Sequence, residues 1–298
     1  MKKNQFLKIM TTLCLTGVFA LGMVGCGSKT PENAPVSSET PAAEKTEAPA
    51  TDLQNVTSST LDSTLDKDTL IIGLDDTFAP LGFRDTNGEL TGFDVEVAKA
   101  IGEKLGKEIT FQPIDWSMKE TELNAGNIDL IWNGYTITEE RKEKVSFSKP
   151  YLKNTQAIVT LADSTIATKA DLAGKKVGAQ NESSAIDAME AEPEVYASFE
   201  SGEAYTYEDN NQALMDLEAG RIDAVVADEI LLRYYLSLKG AEKYNVLTEN
   251  FGDEEYGVGM RKDDQKMVDA FNKAYDELKA EGTLAEISTK WFASDITQ

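Results

Sequence analysis

A chain of 298 residues with 41% hydrophobic residues has room for one large core or two of ordinary size, because single cores stop growing near roughly 250 to 300 residues. Its formal charge of −23 argues against a nucleic-acid partner, whose phosphates it would repel, and says little about a small ligand, since salt screens exposed charge beyond about 8 to 10 Å. Histidine is absent and the only cysteines are Cys14 and Cys26, so the commonest general acid–base, a zinc cluster and a thiol nucleophile drop out, and no catalytic group, metal or cofactor is expected.

Met1–Lys8 is short and basic, Ile9 to Val24 is apolar, and small residues close the run at Gly25-Cys26-Gly27. This is the pattern of a secretory signal peptide. Met23-Val24-Gly25-Cys26 resembles a lipobox, with Met23 in place of the usual leucine. That resemblance implies cleavage after residue 25 and acylation of Cys26, and two or three acyl chains suffice for stable membrane anchoring. From residue 26 to about 66 the chain is rich in Ser, Thr, Pro, Glu and Ala and has no aromatic residue. It cannot bury enough apolar area to offset ordering entropy and is expected to be a disordered tether.

The texture changes at Leu70. Leu70–Leu74 predicts a buried strand. Phe83 and Leu90 flank Asn87-Gly88, a hairpin signal. Val95, Ala98, Ile101 and Leu105 recur at helical spacing, with Asp94 as the expected N-cap and Gly106 as the stop. Phe111–Ile114 predicts another strand. Leu123–Ile131 (LNAGNIDLI) is echoed by Leu217–Val225 (LEAGRIDAV). Both predict a helix ending at glycine, a turn and a strand, hence two analogous α/β lobes. Residues 171–176 predict a turn into the strand at Val177–Ala179, and Val268, Phe271, Tyr275 and Leu278 the face of a helix stopping at Gly282.

Several segments then occur in an order that resembles the family-3 extracellular solute-binding proteins, the polar amino acid receptors of ABC importers. They are Leu74–Pro80 (LDDTFAP), Gly92-Phe93-Asp94, Pro113–Trp116 (PIDW), Thr136–Arg141 (TITEER), Phe147–Tyr151 (FSKPY), Gln180–Ser184 (QNESS), Asp223–Asp228 (DAVVAD), Tyr256-Gly257 and Lys290–Phe292 (KWF). The resemblance implies an α/β, two-lobed type II periplasmic-binding-protein fold with two hinge crossovers. Residues 1–25 are the expected signal peptide, 26–66 the lipidated tether, 67–152 plus 254–298 lobe one and 153–253 lobe two. The lobes would close by a hinge motion on a ligand in the cleft. The implied partners are a free amino acid, membrane-spanning ABC permease subunits and, through Cys26, the outer face of the cytoplasmic membrane. A monomer is expected.

A buried zwitterion must have each charge answered. Arg141 is the expected carboxylate ligand, because its planar fork grips two oxygens. Thr138, as N-cap, would aim the start of the following helix at the same place. By resemblance, the main-chain N–H and hydroxyl of Thr136 join it. Read alone, Arg141 is better taken as a solvated first-turn residue beside Glu139 and Glu140, and it is the resemblance that favours the binding role. Asp228 is the expected ammonium ligand, at the carboxyl end of an apolar strand; it also reads as a helix N-cap. Asp75 ends the first strand in the same way, with a turn residue as the plain alternative. Phe78 and Trp116 match aromatic positions that sandwich a ligand, though lone aromatics more often fill cores. Asn133 and Gly134 match positions offering main-chain groups, Ser183 a hydroxyl or amide for the carboxylate, and Gln180 a side-chain contact; their plain alternative is turn chemistry. Trp291 and Phe292 are expected to anchor the C-terminus in the core.

Pairing Arg141 with the carboxylate and Asp228 with the ammonium leaves Asp75, and with it Asp76, as surplus negative charge. This favours a cationic, amide or cystine-like side chain. A glutamate side chain is disfavoured on the expectation that no second cation is at hand. The competing readings are a dehydratase-like enzyme on the same fold, with Glu182 and Asp75 as its acid–base candidates, and a sensory module that signals by closing.

Overall fold

The computed structural model describes residues 63–298, so the expected signal peptide, Cys26 and most of the tether lie outside the described residues. Two five-stranded sheets form two lobes. The first runs in the order 108–113, 69–74, 130–131, 259–261, 145–147. Its first three strands are parallel, and 259–261 enters antiparallel to both neighbours. The second runs 205–207, 177–180, 224–228, 152–161, 244–256, again parallel for three strands and then antiparallel. The α/β class expected from the alternating pattern is therefore what forms.

The echo in the sequence corresponds to one structural unit made twice. Helix Lys119–Ala125 stops at Gly126 (φ 81°) before the strand Leu130–Ile131. Helix Asn210–Glu218 is followed by Gly220 (φ 67°) and the strand Ala224–Asp228. Helix Gln265–Glu281 buries Met267, Val268, Phe271, Ala274, Tyr275 and Leu278 on one face, each large side chain contributing about 1.5 to 3 kcal/mol by area. The hairpin at Asn87-Gly88 joins strands 82–84 and 90–91 through residues 85–89, held by the Asp85 carboxylate on the Asn87 and Glu89 N–H groups.

Two sequence expectations need correction. Asp94 is not an N-cap. Helix Phe93–Leu105 begins at Gly92, whose φ of 134° and close approach to the Leu81 carbonyl (a Cβ would lie 2.1 Å from its oxygen) only glycine tolerates. Asp94 thus falls inside the first turn and turns inward. Ser63–Asp66, assigned to the tether, are ordered instead. Thr64–Asp66 form a 3-10 turn, and Asp264 accepts from the Ser63 hydroxyl (2.6 Å) and the Thr64 N–H (2.7 Å). Trp291 and Phe292, expected to anchor the C-terminus in the core, are partly buried and pack against it, Trp291 edge-on to Phe83 (5.9 Å) and Phe292 tilted on buried Phe93 (5.2 Å).

Fully buried Asp129, in the first copy of the repeated unit, bonds Lys67 (2.6 Å), Arg261 and the Ile71 N–H (3.1 Å). A buried charge answered on three sides is tolerable where a lone one is not. Asp223 in the second copy does related work at the surface, accepting from the Lys176 N–H at 2.8 Å.

The chain passes between the lobes at Leu152 and returns at Tyr256. The two crossing segments pair antiparallel in the register Leu152↔Tyr256, Lys153↔Glu255, Asn154↔Glu254 and Thr155↔Asp253. They lie beside the ends of the strands on which the expected binding residues sit.

Candidate functional site

Thr138 caps helix Glu139–Lys144, its hydroxyl accepting from the Arg141 N–H at 3.1 Å. That cap turns the Arg141 side chain inward. It is 5% exposed, which removes the reading of a solvated first-turn residue. Its guanidinium carbon lies 4.8 Å from the Tyr135 ring centre. One amino group donates to the Thr136 carbonyl (3.1 Å) and the other to the Glu182 carbonyl of the opposite lobe (3.3 Å). Asp187 lies at 4.0 Å. Thr136 bridges to Tyr256 through the backbone, and its hydroxyl meets Ser184 Oγ across the lobes at 3.0 Å.

Two neighbours of this group escaped the sequence reading. The first is Ser184. Ser183 donates its hydroxyl to the Gln180 carbonyl (2.8 Å), which is turn chemistry, and it is the next serine that faces Thr136. The second is Lys119, which overturns the expectation that no second cation is at hand. It follows the 3-10 turn Trp116–Met118 and is 2% exposed. Its ammonium donates to the same Glu182 carbonyl at 3.1 Å, lies 3.4 Å from Glu120 and sits 5.4 Å from the Trp116 ring centre. Burial pulls its pKa down, and the Arg141 charge adds to this.

Asp75 is both a turn residue and a contact between lobes. One carboxylate oxygen accepts from the Thr77 N–H (2.9 Å) and hydroxyl (2.7 Å), the other from Gln180 Nε2 of the second lobe (2.8 Å). Burial lifts its carboxyl above the usual range. Asp76 pairs instead with Arg84, so it is not surplus charge. Asn133 accepts from the Asp75 N–H through its side-chain oxygen (3.1 Å). The Gly134 N–H points away from the second lobe, to the Asp94 carboxylate (3.0 Å) and the Tyr151 hydroxyl (3.2 Å). Burial pushes the Asp94 carboxyl up to about 7. Gly134 has φ 59°, and a Cβ there would lie 2.9 Å from the Phe78 ring. Phe78 and Trp116 are 6% and 7% exposed, and Trp116 packs edge-on against Tyr135 at 5.9 Å.

Asp228 stands at the N-cap position of helix Glu229–Lys239, yet its carboxylate makes no cap bond; Asn154 Oδ1 takes the Ile230 N–H at 3.4 Å. The freed carboxylate turns to the crossing strands and accepts from Asn154 (2.6 Å), Gln156 (3.2 Å) and the Tyr256 hydroxyl. Glu254 shares the amides of Asn154 (2.7 Å) and Gln156 (2.9 Å). Burial first, and the neighbouring Glu254 second, push the Asp228 carboxyl well above its usual range. Arg141 and Asp228 do not touch. Both are buried, and they are joined by bonds running from Arg141 to Thr136, Ser184, Gln156 and Asp228. Asn154, Gln156 and Glu254 belong to no motif, so sequence reasoning had no handle on them.

Residues 70–294 match the model of the bacterial extracellular solute-binding proteins, family 3. The L-cystine-binding protein TcyJ of Escherichia coli K12 is 35% identical over 240 residues, covering 80% of this chain and 88% of that one. The arginine-binding extracellular protein ArtP of Bacillus subtilis is 31% identical, covering 77% and 88%. The crystal structure of an ABC uptake transporter substrate-binding protein from Streptococcus pneumoniae with bound histidine superposes with a TM-score of 0.76 at 43% identity, over 78% of this chain and 96% of that one. The fold is the type II periplasmic-binding-protein fold.

Proposed function

We propose, because this chain belongs to the bacterial extracellular solute-binding proteins of family 3, that it captures a polar amino acid between its lobes and delivers it to the membrane-spanning subunits of an ABC importer. The observation that carries this reading is the placement of ionic groups. Buried Arg141 on the first lobe faces the Glu182–Ser184 turn of the second, and buried Asp228 lies at the far end of the same hydrogen-bonded chain. Arg141 would take the ligand carboxylate together with Thr136, and Asp228 the ammonium. Phe78 and Trp116 would flank the aliphatic part. Asp75 and Gln180, bonded across the lobes, would meet side-chain donors, favouring a cationic, amide or cystine-like ligand. Asn133, Gly134 and Ser183 shape the turns that hold these groups.

The test is a thermal-shift and calorimetry panel of L-arginine, L-histidine, L-glutamine, L-glutamate and L-cystine. At 100 times its dissociation constant, a ligand that binds only the native state stabilises by about 2.7 kcal/mol. A panel silent in both measurements sinks the reading.

The same proposal places the protein on the outer face of the cytoplasmic membrane through a diacylglyceryl group on Cys26. Cells fed radiolabelled palmitate should label the wild-type protein, and Cys26→Ala should remove the label and release protein to the medium. Equal labelling of both forms removes the anchor.

A further inference from the structure

Arg141 alone is a sufficient ligand for a carboxylate, so a second buried cation beside it requires an explanation. Lys119 and Arg141 come from different elements, the helix Lys119–Ala125 and the helix Glu139–Lys144. They converge on one oxygen, the Glu182 carbonyl, at 3.1 and 3.3 Å. Each also sits over a ring of the Trp116–Tyr135 pair. Glu182 is held at φ 54°, a left-handed conformation that costs a non-glycine residue energy and tends to persist where surroundings demand it.

Two cations this close repel each other, and both have left water, which is costly without a counter-charge. A neutral carbonyl offsets little of that. Glu120 lies 3.4 Å from Lys119 but also accepts the Tyr135 hydroxyl at 2.7 Å, and Asp187, half-exposed to water, stands no nearer to Arg141 than 4.0 Å. Lys119 carries three donors and Arg141 five, more than these acceptors use. A carboxylate is the group that answers two converging cations, with one oxygen for each.

The geometry points to Lys119 as a second anchor for the ligand's α-carboxylate, forming a two-cation clamp with Arg141. This rests on the amino acid receptor reading and narrows its substrate class. The ligand must present a free carboxylate, so amino acid amides and decarboxylated amines are rejected much more strongly than by one cation alone. Burial depresses the Lys119 pKa, as expected for a cation waiting on an anion.

The experiment crosses a protein change with a ligand change. Calorimetry is run with whichever of L-arginine, L-histidine and L-cystine the wild-type protein binds, and with that compound's carboxamide, on wild type, Lys119→Met and Lys119→Gln. Removing a hydrogen bond to a charged group should weaken the free acid by about 10- to 100-fold while changing carboxamide affinity less than about threefold. Melting of the unliganded variants verifies folding, and Gln keeps a donor if Met packs poorly. Equal losses for acid and carboxamide would make Lys119 a packing residue and overturn the clamp, as would no loss in either variant. A wild-type protein that binds none of these three acids, nor L-glutamine or L-glutamate, overturns the receptor reading and the clamp with it; wild-type binding with an indifferent Lys119 overturns the clamp alone.

Discussion

Arg141→Ala should abolish the amino acid response while leaving the lobes folded. The guanidinium is the strongest carboxylate-binding group at the junction, is 5% exposed and is fixed by the Thr136 and Glu182 carbonyls. Truncating one partner of a buried charge pair costs about 2 to 5 kcal/mol, a weakening of roughly 30- to several-thousand-fold. In the unliganded protein the change removes two bonds to main-chain carbonyls and one ring contact, a loss of about 1 to 3 kcal/mol. Calorimetry should therefore show no saturable heat at ligand concentrations that fill the wild type, with a melting transition still cooperative and only a few degrees lower. A variant that titrates normally would remove Arg141 from the ligand and leave it a purely structural bridge.

Asp228→Asn should separate stability from function in opposite directions. The Asp228 carboxyl is raised by burial and then by Glu254, so the folded state binds its proton more tightly than the unfolded state. Stability from this group is therefore fully present below the unfolded value near 3.8 and declines as pH rises toward the raised folded value. At neutral pH this buried group costs the unliganded protein stability, because the unfolded chain ionises it freely in water. Asparagine keeps the shape and an oxygen for the Asn154, Gln156 and Tyr256 donors and removes the charge. The variant should unfold at higher urea than wild type at pH 7, by about 1 to 4 kcal/mol as for other buried ionic groups replaced by neutral ones. The gap should narrow as pH falls toward the unfolded value near 3.8, where that cost disappears. Its affinity for the ligand should fall by at least about 30-fold, since the ammonium loses its counter-charge. Lower stability at pH 7, or unchanged affinity, would show that Asp228 serves the crossing strands rather than a ligand.

Much of the scaffold is legible in the sequence because it depends on local signals. The glycines after Ala125 and Ala219 end their helices as the repeated LxAGxID pattern indicates, and the apolar runs become the strands beside them. Where the reading failed, a tertiary contact had overridden a local one. Asp94 looks like an N-cap until Gly92 and the Leu81 carbonyl shift the helix start by two residues and send the carboxylate to Gly134 and Tyr151. Lys119 looks like a solvated helix charge, because lysines seldom go inside unpaired. Its partner, Glu182, is 63 positions away and acts through its backbone, which no side-chain pattern records. Ser183 and Ser184 are chemically identical neighbours, and only the local turn decides which of them reaches Thr136.

The bonds that join the lobes include those from Gln180 to Asp75, Lys119 and Arg141 to Glu182, Thr136 to Ser184, Tyr235 to Thr77 and, at the crossing strands, Tyr256 to Asp228, and these have polar groups at both ends. Water can replace every one of them. Each is worth about 0.5 to 1.5 kcal/mol net, up to about 3 where a charge takes part, so parting the seam costs an amount comparable to the binding energy of a small solute. A receptor built this way is a reversible carrier. It grips firmly enough to scavenge, and a docking partner that supplies several competing hydrogen bonds can make it let go.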